Sequence, residues 1–381
     1  MQAAARTSDQ ASLVVHLIYR LDFGGLETLL VDCVNRMPAD KYRHAIVCLT
    51  GYTAFADKIT QPGVALYALD KAPGLGLGTH AALFRLLRRL RPAILHTYNL
   101  SAIEYNLTAA LAGVPIRVHA EHGRDAGDPQ GLNRKHNLLR RLMAPFVDRY
   151  VPVSGDLARW LAGVVGIAPA KITLINNGVD TAHFHPRAAA GAQFVVGTVG
   201  RLQDVKNQAA LIDAFAVLRE QAKLVIVGDG PLRAALEAQV AASGLAGVVT
   251  LTGARTDIAP LMRSFSMFAL TSVAEGTPVT LLEAMSCALP VVSTAVGGIP
   301  ELVQDGVTGT LVPSGDTGAL AAAMAHYAAD PALAARHGAA GRERIETHYS
   351  VSAMVAAYVA LYDQLRKTKL KLKAAITPCA E

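Results

Sequence analysis

Two carboxylates flank a turn that should open a helix, in the segment Glu275-Gly-Thr-Pro-Val-Thr-Leu-Leu-Glu283. The apolar run 267–270 before this segment predicts a buried strand, so Glu275 should lie in the loop at the strand's end and Glu283 two turns into the helix. A carboxylate accepts hydrogen bonds from two neighbouring hydroxyl groups at once. The pair therefore suits one carboxylate for a hexose ring and the other for a ribose, although a glutamate near a helix start can also simply favour the helix dipole.

The turn between these carboxylates has the composition of a helix start. We predict Thr277 as the N-cap and Pro278 as the first helical residue. The backbone amides of Val279 and Thr280 would then be free to bind a phosphate, because the first turn of a helix has no internal acceptors for its N–H groups.

A cationic pair follows the strand predicted near 194–200. The segment Gly200-Arg201-Leu-Gln-Asp-Val-Lys206-Asn207 places an arginine and a lysine above the same strand end. A guanidinium fork and an ammonium point charge suit a diphosphate, whose negative charge grows as its bond to a sugar breaks. The alternative is that both are surface residues at the start of the next helix.

A glycine pair, Gly24-Gly25, follows the first predicted strand and opens a helix. Glycines at that place let the backbone approach a ligand closely, and the helix start offers N–H groups to an anion. A tight strand-to-helix turn is an equally good interpretation. The pair lacks the G-x-G-x-x-G spacing of a dinucleotide site.

The elements that position these residues alternate between strand and helix, which predicts an α/β fold with two doubly wound, Rossmann-like domains facing a central cleft. Strands are predicted at 12–19, 44–49, 64–69, 93–97, 115–120, 148–153, 171–175, 194–200, 223–228, 247–251, 267–270, 290–293 and 309–312. Helices are predicted at 25–37, 79–91, 102–111, 133–145, 331–347 and 351–366.

The domain organisation follows from a break in this alternation at 176–192. We predict a first domain over 1–188, completed by the helix 351–366, a second over 189–350 and a basic tail over 367–381. The stretch 366–381 carries Arg366, Lys367, Lys369, Lys371 and Lys373.

Composition narrows the class of protein. The 381 residues are 52% apolar and 17% charged, which excludes a largely disordered chain. The four cysteines are widely spaced and predict reduced thiols. No apolar run reaches the ~18 residues of a membrane span, so we expect a cytoplasmic chain. The formal net charge of +6 is concentrated in the first half and the tail.

Taken together, these motifs resemble the retaining glycosyltransferases of family 4, which have the GT-B fold. The resemblance also includes Gly228-Asp-Gly-Pro231 and Asn177-Gly-Val-Asp180, and it covers about residues 12–365. More narrowly, the segments 16–27 and 119–125 resemble a subgroup of sugar transferases associated with bacterial exopolysaccharide loci.

The resemblance implies a role for each matching position. Arg201 and Lys206 would hold the donor diphosphate, Glu275 the donor sugar and Glu283 the ribose. The remaining donor-binding positions are Gly24, Gly25, Gly228, Gly230, Arg255 near the base, Gly276, Thr277, Pro278, Val279 and Thr280.

A histidine after the strand 115–120 matches the active-site histidine of this family. His119 and His122 lie close together, so either could be the match. We assign His122, because it lies past the strand end where a cleft residue should be, and we expect His119 to be packed.

The reaction implied by the resemblance needs no metal or other cofactor. The chain lacks the Asp-x-Asp motif of metal-dependent glycosyltransferases, so the cationic side chains and helix ends would replace the ion. The resemblance also favours attack from the leaving-group face over a covalent intermediate.

The acceptor should dock on the basic first domain. The segment 133–146 puts basic and apolar faces on one short helix, and the same lobe carries Arg85, Arg88, Arg89 and Arg91. Together with the alternating Lys-Leu residues of the tail, this pattern indicates an anionic membrane surface on the inner face of the plasma membrane, carrying a glycan linked to polyprenyl diphosphate. The alternative is that Leu138, Leu139 and Leu142 belong to the core and the arginines are solvated. No nucleic-acid-binding module is present.

Other classes remain to be separated by experiment. An NAD-dependent oxidoreductase lacks its glycine turn here. A GT-B nucleotide-sugar epimerase, a phosphorylase with pyridoxal phosphate and a non-catalytic sugar-nucleotide-binding paralogue share the predicted fold.

Overall fold

The computed structural model of the chain describes residues 11–74, 76–125, 127–187 and 193–376. Two parallel six-stranded sheets form its framework. The strands are β1 Ser12–Leu21, β2 Tyr42–Tyr52, β3 Ala65–Ala68, β4 Ile94–Tyr98, β5 Ile116–Glu121, β6 Arg149–Pro152, β7 Phe194–Val199, β8 Ala222–Val227, β9 Val249–Gly253, β10 Met267–Leu270, β11 Val291–Thr294 and β12 Gly309–Val312.

Helices connect the strands and cover both faces of the sheets. They are α1 Gly25–Arg36, α2 Leu77–Leu90, α3 Leu100–Ile103, α4 Tyr105–Leu111, α5 Arg134–Met143, α6 Gly155–Trp160, α7 Gln208–Phe215, α8 Arg233–Ala242, α9 Ile258–Ser264, α10 Val279–Ser286, α11 Ile299–Leu302, α12 Thr317–Ala329, α13 Pro331–His348 and α14 Val351–Ile376. We call the β1–β6 sheet with its helices the first lobe, and the β7–β12 sheet with its helices the second lobe.

The strand order places the candidate site residues beside a topological switch point in each sheet. It is β3-β2-β1-β4-β5-β6 in the first sheet and β12-β11-β10-β7-β8-β9 in the second. The connections diverge between β1 and β4 and again between β7 and β10, and ligands of such sheets bind at the carboxyl ends beside that point. The loops that carry Gly24, Asn99, Arg201 and Glu275 leave these four strand ends.

The core explains the run 13–18 of β1, which is apolar except for His16. Residues Val14 to Ile18 are all buried, because helices cover the strand on both faces. One face packs against α1 and α14, where Met354, Tyr358 and Tyr362 join the same apolar cluster as β1. The last helix of the chain thus completes the core of the first lobe.

The predicted fold class is confirmed, since both sheets form from the strands expected. The prediction of a strand at 171–175 was wrong. Those residues make only a single bridge, Tyr150 to Ile172. The backbone N–H groups of Thr173 and Ile175 donate to the carbonyls of Tyr150 and Pro152, so the segment follows the edge strand β6 without forming a regular strand of its own. The helix expected at 102–111 is two helices, α3 and α4.

The last helix is longer than its predicted end at residue 366. It continues to Ile376, and Lys369 Nζ contacts Asp148 Oδ1 of the first lobe at 2.7 Å. The rest of the predicted tail, 377–381, and the predicted boundary at 188–189 lie outside the described residues. Within the described ranges, no helix is both long enough and apolar enough to cross a membrane.

Candidate donor site

A cation and a carboxylate meet at the carboxyl ends of β7 and β10. Lys206 Nζ pairs with Glu275 Oε1, and the Ser272 hydroxyl donates to the same oxygen at 2.6 Å. The Glu275 side chain is 10% exposed and that of Lys206 is 23% exposed, so both border the cleft without being free in solvent. The structure therefore brings together two residues that the sequence placed on separate loops.

Backbone contacts lock these two loops to each other. Val273 N–H donates to the Val205 carbonyl at 2.9 Å. The Thr271 hydroxyl lies 3.0 Å from the Lys206 carbonyl and 2.9 Å from that of Asn207. Asn207 has a positive φ of 48°, which ends the short turn carrying Lys206 and starts α7. The position of the Lys206 ammonium group is thus fixed by residues at the end of β10 as well as by its own loop.

The helix after Glu275 starts one residue later than predicted. Pro278 is the N-cap of α10, and Thr277 is not. The Thr277 hydroxyl instead donates to the Val153 carbonyl of the first lobe at 2.7 Å. Thr277 does not cap the helix because its hydroxyl group bonds to the other lobe and is not available to the N–H groups of α10. Val279 and Thr280 still lie in the first turn, where backbone N–H groups lack helical acceptors.

Glycines hold the two lobes in close contact around this turn. A Cβ at Gly276 would lie 2.3 Å from the His122 carbonyl oxygen, and one at Gly25 would lie 3.2 Å from a methyl group of Val279. A side chain at Gly276 would push the lobes apart, and one at Gly25 would press on the Val279 side chain. Gly25 and Val279 thus face each other across the cleft, at the starts of α1 and α10.

The Gly24-Gly25 turn also carries an acidic residue. The Glu27 carboxylate folds back so closely that a Cβ at Gly24 would clash with it. Burial raises the pKa of Glu27 to about 7, and the positive charge of Arg201 in the second lobe opposes that rise. Arg201 is exposed, and its influence on Glu27 shows that it lies on the side of the second lobe that faces this turn.

Glu283 is set deeper, on the second turn of α10. Its side chain is buried, and burial raises the pKa of its carboxyl group to about 8, with Asp32 of α1 raising it further. A buried carboxyl group facing a like charge is disfavoured as an anion. Vicinal hydroxyl groups or a nearby cation would stabilise the ionised form.

The other predicted donor-binding residues lie on neighbouring loops of the second lobe. Gly228 has φ +142°, and a Cβ there would lie 1.9 Å from the Gly200 carbonyl oxygen. At Gly230 a Cβ would meet Leu202 O at 2.4 Å. Both glycines are therefore required where the β7 and β8 loops touch. Arg255 is exposed at the end of β9 and forms a two-point pair with Asp257 at 2.8 and 2.7 Å.

The two candidate histidines have different surroundings. His119 is fully buried. Its Nδ1 atom forms a hydrogen bond of 2.8 Å with the Thr97 hydroxyl, and its Nε2 atom lies 3.2 Å from Glu121 Oε1. His122 lies at the cleft, and among the described residues neither of its ring nitrogens has a hydrogen-bond partner. Burial lowers the pKa of His122 to about 4, so its ring is neutral at pH 7. An unpartnered ring beside the cleft suits a ligand contact.

Sequence reasoning missed three residues at this site. Ser272 supports Glu275, Glu27 lies over Gly24, and Asn99 accepts a hydrogen bond from the backbone N–H of His122 at 2.8 Å. Ser272 and Asn99 each follow a predicted strand by two residues, and Glu27 lies in the first turn of a predicted helix, so these positions were the available signal. No group of three or more metal-ligating side chains occurs in the part of the chain that the structure describes.

Two facing Rossmann-like lobes with a cationic site in the cleft define the class as GT-B glycosyltransferases. Two family models match, "Glycosyltransferase Family 4" over residues 23–183 and "Glycosyl transferases group 1" over 193–330. The chain belongs to the family 4 glycosyltransferases.

Two similar proteins are likewise named as glycosyltransferases. The chain is 28% identical over 305 residues to the putative glycosyltransferase EpsF of Bacillus subtilis, covering 73% of this chain and 77% of that protein. It is 34% identical over 200 residues to the D-inositol 3-phosphate glycosyltransferase of Mycobacterium tuberculosis, covering 47% of this chain and 40% of that protein.

Solved structures share the fold over nearly the whole chain. Anabaena Alr3699/HepE in complex with UDP-glucose has a TM-score of 0.80 at 22% identity, covering 94% of this chain and 99% of that one. Sucrose-phosphate synthase from Thermosynechococcus elongatus has a TM-score of 0.79 at 21% identity, with 93% and 100% covered.

Proposed function

We propose that this chain is a retaining glycosyltransferase that moves a hexosyl group from a nucleoside-diphosphate sugar to a growing, lipid-linked glycan in bacterial exopolysaccharide biosynthesis. The observation that carries the proposal is the group formed by Lys206, Glu275 and Ser272 beside the start of α10. The resemblance of the segments 16–27 and 119–125 and the similarity to EpsF support the exopolysaccharide role.

In the proposed complex, the diphosphate lies beside the first turns of α1 and α10. Lys206 and Arg201 neutralise its charge, and Gly24 and Gly25 leave room for it. The sugar hydroxyls bind Glu275, and the ribose hydroxyls bind Glu283. The GT-B neighbour Alr3699/HepE of Anabaena has been solved in complex with UDP and with UDP-glucose, which supports this class of donor.

The stereochemical part of the proposal rests on the contacts of Glu275. Its Oε1 already accepts hydrogen bonds from Lys206 and Ser272, so this carboxylate is a poor candidate for a covalent nucleophile. We infer that the acceptor hydroxyl attacks the anomeric carbon from the leaving-group face. The bond to the departing phosphate oxygen breaks as the new glycosidic bond forms, and that oxygen takes the acceptor's proton.

The first test is a screen of UDP-, GDP- and ADP-hexoses. At least one should raise the melting temperature and support sugar transfer to a polyprenyl-diphosphate-linked glycan. Because Lys206 and Arg201 supply the positive charge, transfer should be the same in excess EDTA as without it. Loss of transfer in EDTA with recovery on adding Mg²⁺ would contradict the metal-independent part of the proposal. Donor turnover without any acceptor would favour an epimerase, and binding without turnover a non-catalytic paralogue.

We further propose that the first lobe docks on an anionic membrane surface through one patch. Leu132, Leu138 and Leu142 are 60%, 52% and 57% exposed, and Arg134, Lys135 and Arg141 are exposed around them. Of the three leucines in the alternative interpretation, only Leu139 packs against the core. Apolar side chains flanked by cations suit a lipid interface with acidic headgroups.

Replacing Leu138 and Leu142 together by glutamine should weaken membrane binding about 10-fold or more, because each leucine contributes roughly 1.5–3 kcal/mol when buried. Flotation with vesicles rich in phosphatidylglycerol measures the change in membrane binding. This lipid supplies the acidic headgroups that attract the cations of the patch. Val217→Gln is the matched control, since Val217 is 60% exposed on the second lobe. Equal flotation of the double variant and the wild type would exclude this patch as the membrane contact.

A further inference from the structure

Asn99 has a backbone conformation that asparagine seldom adopts. The residue follows β4 with φ 56° and ψ 177°. Glycine takes this combination freely, whereas any side chain is strained there. The strain lies at the carboxyl end of β4, beside the switch point of the first sheet. The asparagine at this strained position points to a contact of its side chain that glycine could not make.

The side chain completes a rung of the β-ladder. Asn99 N–H donates to the Ala120 carbonyl of β5 at 2.8 Å. In a parallel pair the next N–H on β5, that of His122, should donate to the backbone carbonyl of residue 99. The chain turns away into α3 at this point, and the His122 N–H donates instead to Asn99 Oδ1 at 2.8 Å. The amide oxygen thus replaces the carbonyl that the turn removes.

This bond fixes a residue with contacts on both sides of the cleft. The His122 carbonyl oxygen faces the backbone of Gly276, next to Glu275. The His122 ring lies 5.8 Å from that of Tyr98 and borders a cavity of about 10 Å³ that His96 also lines. A shift of the His122 backbone would therefore move the ring and the loop of Glu275 together.

We propose that Asn99 is a positioning residue for sugar transfer, which acts by holding the His122 backbone in register with the Glu275-Gly276 loop. The inference rests on the proposed function of the donor site. Asn99 has no direct role with the donor in this proposal.

Three variants, with His122→Ala as the reference for the last of them, separate positioning from a role in the turn. Asn99→Gly keeps the turn, relieves the strain and removes only the acceptor. Asn99→Asp keeps an acceptor oxygen at the same place. The third, Asn99→Gly combined with His122→Ala, asks whether Asn99 acts through His122.

We expect Asn99→Gly to melt at or above the temperature of the wild type while its kcat falls about 10- to 100-fold, since small misplacements of reacting groups have effects of that size. The KM for the donor should change less than kcat. Asn99→Asp should restore most of kcat, and the double variant should be no slower than His122→Ala alone. The His122 amide should exchange with solvent faster in Asn99→Gly than in the wild type.

Wild-type kcat in Asn99→Gly, or losses that multiply in the double variant, would overturn the proposal. Unchanged exchange of the His122 amide in Asn99→Gly would also overturn it. Amide exchange needs no turnover, so it decides whether Asn99 holds His122 even if the wild type transfers no sugar. In that last case the proposed function fails by itself.

Discussion

Lys206→Ala should lower the rate of sugar transfer by on the order of 10²–10³-fold, the effect of removing one group that stabilises charge on a leaving oxygen. The ammonium group lies at the ends of β7 and β10 and pairs with Glu275. Without it, the departing diphosphate of the proposed complex loses one of its two cationic partners. Glu275→Ala should have an effect of similar size, since the donor sugar loses its hydroxyl acceptor.

The matched control for this pair is Lys223→Ala, which removes an exposed lysine from β8 of the same lobe. It should transfer sugar at the wild-type rate. Near-full activity of Lys206→Ala or of Glu275→Ala, with the melting temperature unchanged, would show that the donor site lies elsewhere.

The second large effect should be on stability, at Arg140 in α5. Its side chain is 2% exposed, and Nε donates to Glu121 Oε1 at 2.6 Å. Although burial alone would raise the pKa of Glu121, Arg140 and His119 lower it to about 2. Arg140→Met should lower the free energy of unfolding by about 3–5 kcal/mol, because it leaves a buried carboxylate without its partner.

Urea denaturation measures this effect, with Arg134→Met as the control because Arg134 is exposed at the start of the same helix. The control should change stability by less than about 0.5 kcal/mol. Adding Glu121→Gln to Arg140→Met should recover at least half of the loss, since the unpaired charge is then removed. A loss below about 1 kcal/mol in Arg140→Met would show that the ion pair is not a structural requirement.

The alternation of strand and helix was enough to predict both sheets and the loops that carry the site. Parallel strands bring their carboxyl ends to one edge, so residues after predicted strands, such as Lys206 and Glu275, could be placed at the same cleft. The strand and helix patterns involve only residues that are close together in the chain, so a single sequence is enough to predict them.

Contacts between distant segments could not be predicted in this way. Thr277 bonds to Val153 of the other lobe instead of capping its own helix. Arg140 was interpreted as part of a basic helix face, yet its side chain is buried against Glu121. The role of Asn99 depends on the register between β4 and β5. Each depends on a partner far away in the chain, and hydrophobic periodicity carries no information about that partner.

The most direct test of the central claim is the anomeric configuration of the product. A donor with an α-linked hexose, selected by the thermal-shift screen, is incubated with the chain and a polyprenyl-diphosphate-linked glycan, and the new linkage is assigned by proton NMR. A retaining reaction at the Lys206–Glu275 site predicts an α-glycosidic bond in the wild type and, after the same reaction time, about 100-fold less product or lower from Lys206→Ala. A β-linked product, or equal product from Lys206→Ala, would contradict the account.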